Sequence, residues 1–165
     1  MAYRAAVITA SDKGFRGERE DLSGPAAAEI AAAHGFTVVS QIILPDEADV
    51  LAKEMARICD DGEADLLLTT GGTGFAARDV TPEATMAVAD KLIPGIPEAM
   101  RTFSLQYSTR SMLSRAVAAI RKQTLIVNLP GSPKAVRENL EFAIDALHHG
   151  VEMLQTTGSA DCAAE

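Results

Sequence analysis

A glycine-rich segment with several hydroxyl and charged side chains is the first part of the sequence that could do chemistry. It reads TTGGTGFAARDVTPEAT over residues 69–85 and overlaps the end of the apolar run ADLLLTT. Gly71, Gly72 and Gly74 allow backbone N–H groups to approach an anion closely, and such turns form anion-binding nests. Thr81 and Pro82 are typical of a capped helix start, whose positive end would add to the attraction. The segment predicts a phosphate-binding loop, with an ordinary structural turn as the alternative.

Neither of two common nucleotide-binding motifs describes this loop well. A Walker loop requires the pattern GxxxxGK[ST], and the segment contains no lysine. Residues 72–77, GTGFAA, fit the loose GxGxxA pattern of dinucleotide-binding loops. However, they follow the third predicted strand, and no strand ending in an acid occurs about 20 residues later. A dinucleotide oxidoreductase is therefore a distant alternative.

Two aspartates could act together with the loop. Asp79 lies near its end beside Arg78, and Asp46 stands in the segment PDE, which leaves the second predicted strand at the same sheet edge. Proteins hold Mg²⁺ with one or two carboxylates together with substrate oxygens. We therefore predict that the pair holds Mg²⁺ against a nucleotide, although each aspartate taken singly is more simply explained as a helix cap.

A third segment, NLPGSPKAV over residues 128–136, has two interpretations that the sequence leaves open. Asn128, Gly131 and Ser132 could present amides and a hydroxyl at a helix start, and Lys134 could neutralise phosphate. The same residues also form an ordinary strand-to-helix turn.

Other candidate residues are less informative. None of the three histidines has a partner at metal-ligand spacing. Cys59 falls in a predicted helix, where packing is its simplest role. Arg115 and Arg121 lie on opposite sides of a short predicted strand, where they could bind anions or simply be solvated.

The candidate residues need strands and helices that bring them to one sheet edge. Apolar and β-branched runs predict strands at residues 3–10, 36–44, 64–70 and 124–129. Residues 114–120 fit either a strand that forms a hairpin with 124–129, which we favour, or the end of a helix. Helices are predicted at residues 23–34 with Ser23 as cap, at about 46–60, from 81 onward, at 94–108 and at 132–154. Strands that alternate with helices predict an α/β sheet with helices on both faces.

Length and composition fit one globular domain. The chain has 165 residues, of which 47% are hydrophobic and 23% charged, close to the average for such domains. We assign residues 1–155 to a single domain and residues 156–165, which are small and polar, to a disordered tail.

Charge and cysteine content exclude several classes of function. A net charge of −8 disfavours binding to nucleic acid. Cys59 and Cys162 are the only cysteines, which disfavours a disulfide framework or a structural zinc site. No apolar run approaches the roughly 18 residues of a membrane span. We expect a cytoplasmic protein without nucleic-acid or membrane partners.

Taken together, these segments resemble one protein family. TGGTG followed by RDVTPEAT, the upstream PDE, an N-terminal SD…SGP loop and the block SRAVAAIRKQTLIVNLPGSPKAV are similar to the MogA/MoaB-type molybdopterin-binding family. That family includes the G domains of gephyrin-like and plant proteins. The resemblance extends from about Tyr3 to Leu154 and rests on the combination, because TGGTG alone is a weak signal.

The resemblance implies a fold and an activity. The fold is a three-layer α/β/α domain with a mostly parallel sheet, which assembles as a homotrimer. Catalytic members are molybdopterin adenylyltransferases, which use Mg²⁺ to join molybdopterin and ATP and release pyrophosphate. Their product passes to a molybdate-insertion protein, a further expected partner. MoaB-like members often lose one of the two acids, whereas both are present here, so catalysis is favoured over a non-catalytic molybdopterin-binding or scaffold protein.

The resemblance also carries functional positions onto this sequence. The two essential acids, which would hold Mg²⁺, match Asp46 and Asp79. The nucleotide and phosphate positions match Gly71, Gly72, Thr73, Gly74, Asn128, Pro130, Gly131 and Ser132. The molybdopterin positions match Thr9, Ser11, Asp12, Ser104, Ser114, Arg115 and Arg121. For Arg78 two roles stay open, contact with a substrate or support of Asp79.

Overall fold

A single six-stranded sheet forms the centre of the computed structural model, which describes residues 2–156. The strands are β1 (Tyr3–Ala10), β2 (Phe36–Leu44), β3 (Leu66–Thr70), β4 (Lys91–Leu92), β5 (Ala118–Arg121) and β6 (Thr124–Leu129). The helices are α1 (Asp12–Phe15), α2 (Ser23–Ala33), α3 (Ala48–Asp60), α4 (Thr81–Val88), α5 (Gly95–Ser104) and α6 (Pro133–Gln155), and a 3₁₀ helix spans Thr109–Leu113.

The strand order is β2-β1-β3-β6-β5-β4. The first four strands in this order run parallel, whereas β5 is antiparallel to β6 and β4 is antiparallel to β5. The predicted α/β class with a mostly parallel sheet is therefore confirmed.

Helices cover both faces of the sheet, which explains why its central strands are apolar without alternation. On β1, Ala5 and Val7 belong to the core that also holds buried residues of α2 and α6. Ala6 and Ile8 belong to the opposite core, with buried residues of α3 and α4. The three layers implied by the resemblance are therefore present.

The order of the strands creates a crevice at one edge. β1 lies between β2 and β3. The chain passes from β1 through α2 to β2 on one side, and then from β2 through α3 to β3 on the other side of β1. In open α/β sheets such a switch point leaves a crevice outside the carboxyl ends of the two central strands. The glycine-rich segment follows β3 and therefore enters this crevice.

Several predicted boundaries differ from the structure. α3 begins at Ala48, so Asp46 lies in the preceding turn and not in the helix. β3 begins at Leu66, and the carboxylate of the preceding Asp65 accepts hydrogen bonds from the backbone and side chain of Arg4. β5 begins at Ala118, since Arg115 N bonds the glycine loop at Thr73 O and Val117 N bonds the Asn128 side chain.

Three short elements have no counterpart among the predicted ones. α1 forms because the Ser11 hydroxyl accepts from the Gly14 N–H at 3.0 Å. α5 ends at Ser104, and the 3₁₀ helix then starts where Ser108 caps Arg110 at 3.2 Å. β4 has two residues and pairs with the end of β5.

The predicted tail at residues 156–165 lies outside the described residues except for Thr156, the C-cap of α6. Between residues 2 and 156, no helix is long and apolar enough to cross a bilayer.

Candidate active site

Two cavities open at the carboxyl edge of the sheet. The first, of about 380 Å³, is lined in part by Gly74 and Ser114 and extends toward α5 and the 3₁₀ helix. The second, of about 500 Å³, is lined in part by Ser11 and lies against the loop that follows β1. Ser132 lines both cavities, so the turn formed by residues 130–132 separates them.

The glycine loop between these cavities has a backbone that only glycine tolerates. Gly71 and Gly72 have φ angles of +88° and +68°, which side chains rarely adopt. A Cβ atom on Gly71 would overlap the carbonyl oxygen of Ala10, and one on Gly72 would overlap the Thr81 hydroxyl. The loop can therefore lie directly against β1 and α4.

All four carbonyls of residues 71–74 accept hydrogen bonds from groups outside the loop. Thr81 bonds Gly71 O through its hydroxyl at 2.9 Å and Gly72 O through its N–H at 3.1 Å. Arg115 bonds Thr73 O through its N–H at 2.9 Å and Gly74 O through Nε at 2.7 Å.

The N–H groups of residues 72–74 have no protein acceptor within residues 2–156. Because C=O and N–H of a trans peptide point in opposite directions, fixed carbonyls leave these donors on the other side of the loop. Consecutive free N–H groups of this kind form a nest for an anion.

Asp79 is fixed beside the nest by its own turn. Its Oδ2 accepts from Ala76 N at 2.9 Å, and its N–H donates to Ala76 O at 2.9 Å. The carboxylate lies so close to Gly74 that a side chain there would meet Asp79 Oδ2. The acid therefore stands directly against the backbone of the glycine loop.

Asp46 is locked to Asp12 across the crevice. Asp12 N donates to Asp46 Oδ2 at 2.9 Å, and Asp46 N donates to Asp12 Oδ1 at 3.0 Å. Burial raises the pKa of Asp46, and the negative charges of Asp12 and Asp79 raise it further. Three carboxylates thus share one small region, which creates a local demand for positive charge.

Arg78 supplies part of this positive charge. It binds Asp12 with both Nε and Nη2, at 2.5 and 3.0 Å, and lies 3.8 Å from Glu47. These hydrogen bonds lower the pKa of Asp12. To the two roles left open for Arg78, the structure adds a third: it joins the glycine loop to the loop after β1.

The oxygen donors of this region suit Mg²⁺, a hard cation. No group of three or more His, Cys, Asp or Glu side chains among residues 2–156 is arranged to hold a metal without help. A metal on Asp46 and Asp79 would therefore require oxygens from a substrate.

Hydroxyl groups fix the turn at residues 130–132 and the Asp21 side chain in the cavity walls. Thr70 donates to Pro130 O and Ser23 donates to Gly131 O, each at 2.6 Å. Thr9 donates to Asp21 Oδ2 at 2.7 Å. The turn that divides the cavities is therefore held from both sides.

Comparison with known proteins assigns this domain to a family. Residues 6–149 match the model of a family described as a probable molybdopterin binding domain. The chain belongs to that family. It is 43% identical over 150 residues to a molybdopterin adenylyltransferase of Helicobacter pylori strain J99, across 90% of this chain and 85% of the relative.

Two further similarities support the assignment. The molybdopterin adenylyltransferase of Escherichia coli K12 is 43% identical over 146 residues, which cover 87% of this chain and 74% of the relative. The crystal structure of the molybdopterin biosynthesis enzyme MoaB from Thermus thermophilus superposes with a TM-score of 0.87 at 44% identity, covering 92% of this chain and 96% of that chain. The resemblance stated from the sequence is confirmed.

This molybdopterin-binding domain brings most of the predicted site residues to one edge. They are Thr9, Ser11, Asp12, Asp46, Gly71, Gly72, Thr73, Gly74, Asp79, Pro130, Gly131 and Ser132, with Ser104 and Ser114 on the wall of the first cavity. Their contacts with substrates stay predictions.

Arg121 lies at the opposite edge of the sheet, which corrects the expectation that it faces the same cleft. It ends β5, an antiparallel strand, and therefore pairs with Thr124 at the start of β6. Its guanidinium binds Asp60 at 2.9 and 2.7 Å and Val88 O at 3.0 Å. The reversed direction of β5, which the local sequence does not reveal, accounts for the difference.

Asn128 lines neither of the two cavities. Its side chain is completely buried in β6. It donates to the hydroxyls of Thr69 and Thr85 at 2.9 and 3.0 Å and accepts from Val117 N at 3.1 Å. Its amide therefore holds three elements together beneath the cleft.

Two predicted helix caps have a different use in this molybdopterin-binding domain. The Thr81 and Ser23 hydroxyls donate to Gly71 O and Gly131 O, respectively, and α4 has no side-chain cap. Asp21 instead accepts from the Ser23 and Gly24 N–H groups at 3.1 and 3.0 Å. The sequence signal for this arrangement is Asp21, two residues before the segment SGP, because Asp commonly caps the first N–H groups of a helix.

Sequence reasoning missed Arg101 and Asn139 on the first cavity. Arg101 donates to Ser114 O and Ala116 O at 3.2 and 2.9 Å, and Asn139 accepts from Ser104 Oγ at 3.0 Å. Both lie in helices, where the sequence gives no sign that a polar side chain faces inward.

Proposed function

We propose that this protein is a molybdopterin adenylyltransferase of molybdenum cofactor biosynthesis, which transfers AMP from ATP to the terminal phosphate of molybdopterin. The observation that carries the proposal is the anion nest of residues 72–74 beside Asp79 and Asp46, between two cavities. A reaction between two phosphorylated substrates needs such a meeting point. The names of the relatives supply the substrates.

The chemistry requires positioning more than proton transfer. A terminal phosphate oxygen of molybdopterin attacks the α-phosphorus of ATP, the bond from that phosphorus to the bridging oxygen breaks, and pyrophosphate leaves. A phosphate monoester has a second pKa of about 6, so its attacking oxygen is already deprotonated at neutral pH. We therefore assign no general base.

The chain's own residues bind and orient the two anions. The N–H groups of residues 72–74 bind phosphate oxygens, and the turn at residues 130–132 keeps the organic parts of the substrates in separate cavities. Asp46 and Asp79 would hold Mg²⁺, which would supply positive charge to neutralise the triphosphate. An acidic protein can bind anions here because local donors outweigh distant surface charge.

Substitution of Asp79 tests this assignment. In D79N the side-chain oxygen can still accept from Ala76 N, so the loop keeps its shape. We expect retained molybdopterin binding and a loss of pyrophosphate release of roughly 100-fold or more. Full turnover by D79N would contradict the metal role.

The second candidate is a non-catalytic molybdopterin-binding protein, the alternative that the resemblance to MoaB-like members implied. Purified protein incubated with molybdopterin and Mg-ATP separates the two. Adenylyl-molybdopterin and an equivalent of pyrophosphate support the enzyme, and binding without either product supports the alternative.

We further propose that the protein acts as a homotrimer and delivers its product to a molybdate-insertion protein. Large apolar side chains are exposed between α5 and the 3₁₀ helix (Tyr107), on the 3₁₀ helix (Met112) and on α6 (Phe142), and they support self-association. Sedimentation velocity at two concentrations tests the trimer, and a monomer at both would contradict it.

A further inference from the structure

We propose that Arg115 is a positioning residue, which sets the shape of the glycine loop and does not touch a substrate. This inference deepens the proposed function, since it concerns how the loop binds phosphate. It also replaces the molybdopterin contact that the family resemblance implied for this residue.

The contacts of Arg115 are all with the loop and the helix that follows it. Its N–H donates to Thr73 O at 2.9 Å, Nε donates to Gly74 O at 2.7 Å, and Nη2 donates to Asp79 O at 2.7 Å. Nη1 bonds the Glu83 carboxylate. Every nitrogen of the guanidinium is therefore engaged, and the side chain spans both ends of the turn at residues 74–79.

These contacts determine where the loop's donors point. Thr81 holds the first two carbonyls of the loop and Arg115 holds the next two. In each trans peptide the N–H lies opposite the C=O, so the backbone N–H of Arg115 orients the N–H of Gly74, and its side chain orients the N–H of Phe75, the next donor after the nest. The bond to Asp79 O fixes the backbone of the acid at the same time.

The charge of Arg115 is already neutralised where it lies. Glu83 pairs with the guanidinium, and this pairing lowers the pKa of the Glu83 carboxyl. Geometry, and not charge, is what this arginine contributes. A lysine keeps the charge but is a compact donor that cannot bridge three acceptors with a planar fork.

Limited proteolysis of the ligand-free protein tests the positioning role without any substrate. Arg78, whose side chain is 59% exposed, lies inside the held turn. Arg16 and Arg19 lie in the loop after β1 and serve as internal references. In R115K we expect trypsin to cleave after Arg78 about ten-fold faster, with unchanged cleavage after the two reference arginines.

Two control variants separate geometry from charge and from a general effect of the substitution. E83Q removes the ion pair but leaves the three backbone bonds, so we expect cleavage after Arg78 near the wild-type rate. R57K makes the same substitution at an exposed position of α3, away from the loop. Its rate of cleavage after Arg78 should also resemble that of the wild type.

Three results would overturn the proposal. Unchanged cleavage of R115K, with weaker ligand binding, would mean that Arg115 contacts a substrate directly. Equal acceleration at all three sites would show a role in global stability only. If E83Q accelerated cleavage after Arg78 as much as R115K, the ion pair would determine the shape of the turn and the bonds to the backbone would not.

Kinetics then connect the loop to function. We expect R115K to raise the KM for Mg-ATP about ten-fold or more, because small misplacement of binding groups is costly, and to weaken binding of pyrophosphate in calorimetry by a similar factor. An unchanged KM for Mg-ATP and unchanged pyrophosphate binding would contradict the link. If the wild-type protein transfers no adenylate, the proposed function fails, whereas proteolysis and pyrophosphate binding still decide the role of Arg115.

Discussion

The surroundings of Asp46 disfavour the ionised form of its carboxyl group. The carboxylate is partly buried and has Asp12 and Asp79 nearby, so its pKa is raised. A group with a raised pKa in the folded state contributes stability at low pH, and this contribution is lost as pH rises through that pKa. At neutral pH the ionised Asp46 therefore costs stability, as expected at a site that awaits a cation.

The variant D46N should be more stable than wild type at neutral pH while losing transferase activity. The amide oxygen can still accept from Asp12 N, and the repulsion between carboxylates disappears. We expect a small rise in Tm, on the order of 1–3 °C, because solvent screens a part-exposed charge. Calorimetry at several pH values checks this, and the difference should shrink as the pH falls to where Asp46 is protonated. A lower Tm at neutral pH would contradict it.

Gly72 offers a second test at the scale of one residue. Its φ of +68° and the nearby Thr81 hydroxyl leave no room for a side chain. We expect G72A to lower the free energy of unfolding by about 1–3 kcal/mol and to weaken pyrophosphate binding. G95A is the matched control, because a Cβ there meets no atom within 4 Å. Equal stability of the two variants would contradict the expectation.

At the scale of elements, the buried Asn128 side chain connects three parts of the chain by hydrogen bonds. Its buried amide bonds β3 through Thr69, α4 through Thr85 and residues 114–117 through Val117 N. Because Arg115 lies in that last segment, the amide also holds the residue that shapes the glycine loop. Its importance is therefore in placing elements and not in binding phosphate.

The variant N128A should destabilise the protein substantially. It leaves two buried hydroxyls and one buried N–H with fewer partners, each of which costs about 1–3 kcal/mol if no replacement is found. We expect the free energy of unfolding in urea to fall by about 2–4 kcal/mol. A loss below about 0.5 kcal/mol would show that water or rearranged hydroxyls replace the amide.

The sequence predicted those strands and helices that a local pattern, such as an apolar run or a helix start, is enough to indicate. The apolar runs of β1, β3 and β6 and the Ser132-Pro133 start of α6 predicted the central sheet and its last helix. The glycine loop and both acids were found because they follow strand ends. Arg121 and Asn128 were misplaced because strand direction and burial depend on partners far away in the sequence, as in the bonds to Asp60 and Thr85.

At the scale of the whole molecule, the two edges of the sheet carry different side chains. The carboxyl edge holds the glycine loop and the acids, whereas ion pairs such as Arg121–Asp60 and Arg4–Asp65 lie at the other edge. The pair with Arg121 lowers the pKa of Asp60. Its stabilising effect is therefore present at neutral pH and is lost as pH falls through the pKa of Asp60.

The variant R121M tests this separation. We expect unchanged KM values for both substrates and only a small loss of stability at pH 7, because solvent screens an exposed ion pair. The loss should fade in acid, where Asp60 is protonated and the wild-type pair no longer contributes. A raised KM for molybdopterin would return Arg121 to the binding site.

The turn at residues 130–132 has a consequence for how this domain can diversify. Its carbonyls at Pro130 and Gly131 accept from the hydroxyls of Thr70 and Ser23, so the partition between the cavities is backbone whose position depends on these two hydroxyl groups. Ser23 and Ser132 line the second cavity, and Ser132 also lines the first, so these two positions are constrained, whereas the other lining residues belong to one cavity each. Under the proposed function, selectivity for the pterin and selectivity for the nucleotide can change independently at those other positions, which makes the two recognition problems separable for evolution and for engineering alike.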